Sequence, residues 1–142
     1  MNRCTAVERL LAELYAGLRE AKPARAGTCF ADDAEALFIG TDPAEWWVGA
    51  PAIRRNLRAM LRDTGGVDFA STEPRGLRAG NTAWVTDRPT FRLPDGMEIP
   101  VRVTATACRI EGEWRFVQAH ISLGLNSHLP PEVIAITSRP LE

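Results

Sequence analysis

VRVTATACRIEGEWRFVQAHISL, running from Val101 to Leu123, reads as two long β-strands joined at Glu111-Gly112. β-Branched and aromatic residues fill both arms, and an acidic residue followed by glycine supplies the turn. A three-residue loop of Ile110, Glu111 and Gly112 would set Thr106 against Phe116, Thr104 against Gln118 and Arg102 against His120. In that register one face carries Val101, Val103, Ala105, Ala107, Val117, Ala119, Ile121 and Leu123, all small or apolar. The other carries Arg102, Thr104, Thr106, Cys108, Trp114, Phe116, Gln118, His120 and Ser122, a mixture of aromatic and polar groups. A sheet of this kind packs its helices on the first face and is expected to meet a partner on the second. A slip of one residue would exchange the two sides.

Around this hairpin, 142 residues suffice for one domain with one core. Apolar residues at 45% and charged residues at 25% are ordinary globular usage, and a net charge of −1 offers no general attraction for nucleic acid. No apolar run approaches the ~20 residues that span a bilayer, and Met1-Asn2-Arg3-Cys4 does not open a signal peptide, so a cytoplasmic location is expected. Cys4, Cys29 and Cys108 are odd in number and lack CxxC spacing, which argues for plain thiols rather than disulfides or zinc.

Upstream, Thr5 and Glu8 have capping-box spacing, and Val7, Leu10, Leu11, Leu14 and Leu18 recur at helical period. A second short helix is predicted from Pro23 to about Cys29, followed by the acidic turn Phe30-Ala31-Asp32-Asp33-Ala34 and a strand over Glu35 to Gly40. Trp46 and Trp47 are adjacent in a loop-like, extended context, so one ring should point inward and the other elsewhere. Pro51 suits the first turn of a third helix. Ile53, Leu57, Met60 and Leu61 form its buried stripe, Arg54, Arg55, Arg58 and Arg62 a solvated face, and Gly65-Gly66 its end. Val67 to Leu77 reads as a weak strand broken by Pro74. Thr82 to Leu93 reads as a longer one with an irregularity at Pro89. From residue 126 a tail with Pro130, Pro131 and Pro140 around Val133-Ile134-Ala135-Ile136 is expected to be extended. The division is thus a domain over 1–125 and a tail over 126–142.

This order of elements is α+β. Phe30-Ala31-Asp32-Asp33-Ala34, Gly40-Thr41-Asp42-Pro43 with Glu45-Trp46-Trp47 and Gly49, Ala83-Trp84-Val85, Arg102-Val103-Thr104 and Gly112 through Ser122 together resemble the NTF2-like superfamily, in its SnoaL-like, ketosteroid-isomerase-like group. The resemblance spans roughly residues 5 to 125. It implies a cone in which a strongly curved antiparallel sheet wraps around three N-terminal helices and encloses a pocket, and it implies homodimerisation through the outer sheet face. On this chain that face would include Arg102, Trp114, Phe116, Gln118 and His120. The fold hosts many reactions, so the residues must decide among them. Steroid isomerisation needs a carboxylate base and an oxyanion site. The corresponding positions fall near Phe38 and Thr106, neither of which can do that work, and Tyr15 alone lies near the family's helix tyrosine.

Asp87 and Arg88 are the ionisable pair hardest to assign to a plain surface, because Trp84 and Phe91 flank them and Pro89 can redirect the pleat. Asp87 in an apolar pocket would be a candidate acid or base; Arg88 there would bind a substrate carboxylate. A charge pair at the sheet edge is the competing reading. Trp47, Trp84, Phe38, Thr90 and Tyr15 complete the ligand-binding candidates, with Asp42 and Glu45 a second option at the pocket mouth. His120 and His128 have no carboxylate partner in the local pattern, so neither a metal nor another cofactor is expected. Two functions follow: a pocket for a hydrophobic small molecule, of the lyase, isomerase or cyclase kind if it turns over, or a non-catalytic association module resembling the oligomerising domain of calmodulin-dependent kinase.

Overall fold

The structure, a computed structural model, describes residues 1–124. The tail expected from residue 126, with His128, lies outside the described residues. In chain order the elements are β1 (Asn2–Arg3), α1 (Thr5–Arg19), α2 (Pro23–Thr28), β2 (Leu37–Ile39), β3 (Trp46–Val48), α3 (Ala50–Thr64), β4 (Asp68–Ala70), β5 (Arg75–Ala79), β6 (Thr82–Asp87), β7 (Thr90–Arg92), β8 (Glu98–Ile110) and β9 (Glu113–Leu123). The strands form one sheet in the order β1-β5-β6-β8-β9-β2-β3. β7 pairs with the start of β8, and β4 with β7.

Three helices against a curved sheet is the α+β architecture expected from the sequence. Val7, Leu11, Leu14, Tyr15 and Leu18 of α1 and Ile53, Leu57 and Leu61 of α3 are the buried stripes that their spacing predicts. The arginines of α3 lie on its exposed side. The long strand expected over Thr82–Leu93 is two strands, because Arg88-Pro89 interrupts the ladder: Thr82–Asp87 pairs with the second half of β8 and Thr90–Arg92 with its first residues. β2 runs parallel to β9, so the sheet is not antiparallel throughout.

Two local readings are corrected. Glu8 does not close a capping box with Thr5. The N-cap is Cys4 without a side-chain bond, and the Glu8 carboxylate accepts instead from the Gly76 backbone N–H and the Arg3 guanidinium, tying α1 to β5. The hairpin turns on two residues, Glu111 and Gly112, both with positive φ (51° and 81°), the mirror-image turn that suits strand twist and needs glycine at its second position. Ile110 therefore faces Glu113 and Ala107 faces Phe116. A bulge at Val117 then resets the ladder, so that Thr106 faces Gln118, Thr104 faces His120 and Arg102 faces Ser122. Ala119 and Ile121 keep the inward side assigned to them, but Phe116 moves into the core, fully buried beside Phe30. Trp114 shares its side, half-buried under the Arg78 guanidinium.

Cys4 and Cys29 are buried and Cys108 is half-buried, all three free. Burial pushes the Cys29 thiol up to about 11, which keeps it protonated and inert.

Candidate functional site

Between the helices and the sheet lies a cavity of about 280 Å³. Its floor is Phe38 of β2 with Val101 and Ile121 of the central hairpin. Phe69 of β4 and Phe91 of β7 close one side, and Met60 of α3 covers it. The alternation of β8 and β9 explains the floor: Val101, Val103, Ala105 and Ala119, Ile121 point inward, while their neighbours face out. Trp47, paired with Phe38 across β2 and β3, stacks on it from the side with ring centroids 4.8 Å apart. Its neighbour Trp46 points out and is 61% exposed, so the adjacent tryptophans divide as expected.

Among the described residues lining the cavity, Glu45 is the only one that ionises; Thr41 and Thr64 add hydroxyls. Asp42-Pro43-Ala44 turns the chain through Asp42 Oδ1, which accepts from the Ala44 N–H at 2.8 Å, and Gly40 N–H donates to the Glu45 carbonyl at 2.8 Å. The turn delivers the Glu45 side chain back over Gly40. There Oε1 accepts from the Asp42 N–H at 3.2 Å, and Oε2 lies against the bare Gly40 Cα. Gly40 is needed for space and not for its dihedral angles: a Cβ at this position would stand 2.7 Å from the Glu45 carboxyl carbon. Burial raises the Glu45 pKa above the ordinary carboxylate value; the hydrogen bond from the Asp42 N–H offsets part of that rise, and the Asp42 charge adds a smaller increment to it.

The other sequence candidates sit apart from this cavity. Asp87 does point inward and is 5% exposed, but its oxygens are occupied. Oδ2 accepts from the Tyr15 hydroxyl at 2.9 Å, and Oδ1 accepts from the backbone N–H groups of Arg88 at 2.8 Å and Glu73 at 3.0 Å. The carboxylate thus ties α1 and the β4–β5 loop to the end of β6. Burial, then the Asp87 charge, push the Tyr15 pKa well above its usual value, so the phenol remains a donor. Arg88, the residue after the end of β6, is exposed and borders an open cleft with Asp87, Glu73, Arg75, Ser71 and Thr86. Trp84 is on the outer sheet face. Thr90 is half-buried on β7. Of the candidates drawn from the sequence, Phe38 alone lines the cavity, and Glu45 was visible there as the second option at the mouth.

The outer face is itself ordered. Leu77, Trp84, Thr106, Gln118, Leu37 and Val48 form one cross-strand row over six strands. Thr86, Thr104, His120, Ile39 and Trp46 form the next. Phe116 is absent from these rows, because the bulge turned it inward.

Among the described residues no helix is long and apolar enough to cross a membrane, and no group of three or more His, Cys, Asp or Glu side chains could hold a metal ion.

A family model described as a SnoaL-like domain matches residues 7–126. No curated protein matches the chain. Among solved structures, an NTF2-like protein of unknown function from Pseudomonas putida superposes with a TM-score of 0.72 at 17% identity, over 87% of this chain and 88% of that one. A protein from Nostoc punctiforme, described as having a cystatin-like fold, gives 0.71 at 18% identity over 92% and 98%. A Thiobacillus denitrificans protein, provisionally described as a calcium/calmodulin-dependent protein kinase type II association domain, gives 0.73 at 17% identity over 83% and 94%. At these identities the likeness is one of fold.

Proposed function

The chain belongs to the SnoaL-like domain family, and from that premise we propose that its cone is a receptor for a small, mostly apolar molecule. The observation that carries this is the cavity of about 280 Å³ walled by Phe38, Phe69, Phe91, Val101 and Ile121. A cavity of about 150 Å³ with such walls stays dry and takes benzene, and ligand pockets begin near 300 Å³. One ring or two fused rings is the size that fits. Glu45 and the two threonine hydroxyls are the polar groups available to orient the occupant. Any proton transfer of the isomerase, lyase or cyclase kind would fall to Glu45, the only carboxylate among the described residues that line the cavity.

Thermal unfolding with indane as probe tests this reading. At about 100 times Kd, binding adds ~2.7 kcal/mol to the folded state, and the midpoint should rise by several degrees. Met60→Trp, which fills the cavity from α3, should abolish the rise. An equal rise in the filled variant would place the binding elsewhere.

The second reading is association. Trp46 at 61% and Val48 at 53% exposure sit on the same face as Leu37, Ile39 and Trp84, an apolar outer surface of the kind that pairs with a copy of itself. We propose a homodimer through this face, with Gln118 and His120 at its centre. Sedimentation should give twice the chain mass for the unmodified protein and a monomer for Trp84→Glu, with both folded. A monomeric unmodified chain would contradict it.

A further inference from the structure

The charge around the cavity is one-sided. Glu45 lines it, and no lysine, arginine or histidine does among the described residues. Arg88, the cation expected to meet a substrate carboxylate, faces solvent by an open cleft instead. An apolar acid in the cavity would therefore place a second negative charge beside the half-buried Glu45 with no counter-charge lining the cavity among the described residues. A donor or cation would complete it.

Resting on the receptor reading above, we propose that Glu45 is the anchoring group of the cavity and selects an apolar amine over the matching hydrocarbon and over the matching acid. Three features support the selection. Oε1 is held by the Asp42 N–H, while Oε2 rests against Gly40, itself a lining residue, and accepts no hydrogen bond from the described residues, so its acceptor capacity is unspent. Gly40 supplies the slot in which the carboxylate rests. Aromatic rings of β2, β4 and β7 line the same space and favour an ammonium near their faces. Among the described residues, Asp42 of its own loop is the other titratable group beside Glu45, and α3, β4, β7, β8 and β9 turn only Met, Thr, Val, Phe, Ile and Leu side chains into the cavity.

The test uses three probes of one shape: indane, 2-aminoindane and indane-2-carboxylate, titrated calorimetrically into the whole chain at pH 8. The amine should bind at least tenfold more tightly than indane, and the carboxylate more weakly than indane. Glu45→Gln should bring the amine-to-indane ratio to within about twofold. Gly40→Ala, which displaces the carboxylate without removing it, should lower the ratio as well. In the unmodified protein the ratio should fall as pH drops into the range where Glu45 protonates, above that of an ordinary carboxylate because its pKa is raised. An amine preference that survives Glu45→Gln, or a carboxylate that binds as well as the amine, overturns the selection. If indane binds but the amine gains nothing, the selection alone fails. If indane itself does not bind, the receptor reading fails and takes the selection with it.

Discussion

Asp87→Ala should lower the unfolding free energy by about 3 kcal/mol, a large part of the ~5–15 kcal/mol typical of a domain this size. The change removes the acceptor of three hydrogen bonds at once: the Tyr15 hydroxyl and the Glu73 and Arg88 backbone N–H groups. A buried donor left without a partner costs about 1–3 kcal/mol, and Tyr15, 4% exposed, has no water to turn to. Asp87→Asn keeps one oxygen for the two N–H groups and should cost less, about 1–2 kcal/mol; Tyr15→Phe should cost a similar amount. The double variant Asp87→Ala/Tyr15→Phe should cost less than the sum of the singles, because the second change removes the orphaned donor. The sign with pH follows. Tyr15 is held neutral in the folded state, so its contribution is complete below the unfolded tyrosine pKa of about 10 and is lost as pH rises beyond it. Tyr15→Phe should flatten that alkaline loss. Urea unfolding from pH 7 to 11 measures all of this. Unchanged stability in Asp87→Ala would return Asp87 to the role of a free acid or base.

Phe116 carries the second large effect. It is fully buried beside Phe30, and Phe116→Ala should cost roughly 3–5 kcal/mol, the range for emptying an aromatic from a core. Phe116→Glu should leave no cooperative unfolding transition, since an unpaired charge would stand among apolar side chains. Trp84→Glu, on the outer face, should remain folded. The contrast tests the hairpin register: with the three-residue loop, Phe116 would lie on the outer face and its glutamate variant would stay folded. Circular dichroism melts of the two glutamate variants decide between these outcomes.

The register shows where sequence reasoning stops. Alternation along Val101–Ala107 and Ala119–Ile121 placed both arms and their inward residues, because a period of two is written directly in the residue types. Glu111-Gly112 accommodates loops of two or three residues, and nothing in Arg115-Phe116-Val117-Gln118 announces the extra residue at Val117. One bulge was enough to move Phe116 from interface to core. The helix stripes, the break at Pro89 and the opposite facing of Trp46 and Trp47 were legible for the same reason as the arms: each depends on local period or on proline chemistry. Glu8 shows the converse, a local capping pattern overridden by a tertiary acceptor role toward Gly76.

For the site, the sequence singled out Asp87 and Arg88 without deciding which of them turns inward or whether both stay at the sheet edge, and it gave none of the three partners of Asp87, two of which are backbone groups that no side-chain pattern encodes. Glu45 was harder to rank. Its position depends on an Asp-Pro turn folding back over a glycine, and Gly40 has ordinary dihedral angles, so its reason for being glycine is visible only when the carboxylate above it is seen. The signal available in the chain was the run Gly40-Thr41-Asp42-Pro43-Ala44-Glu45, a turn ending in an acid just before two tryptophans.

Whether the cone holds a usable apolar cavity is read out by methyl-detected NMR with indane. Saturable shifts are expected at Met60, Val67, Val101 and Ile121, which line the cavity, and none at Leu37, Val48 or Leu77 on the outer sheet face. Shifts confined to the outer face, or no saturable shift at the cavity methyls, would contradict such a cavity.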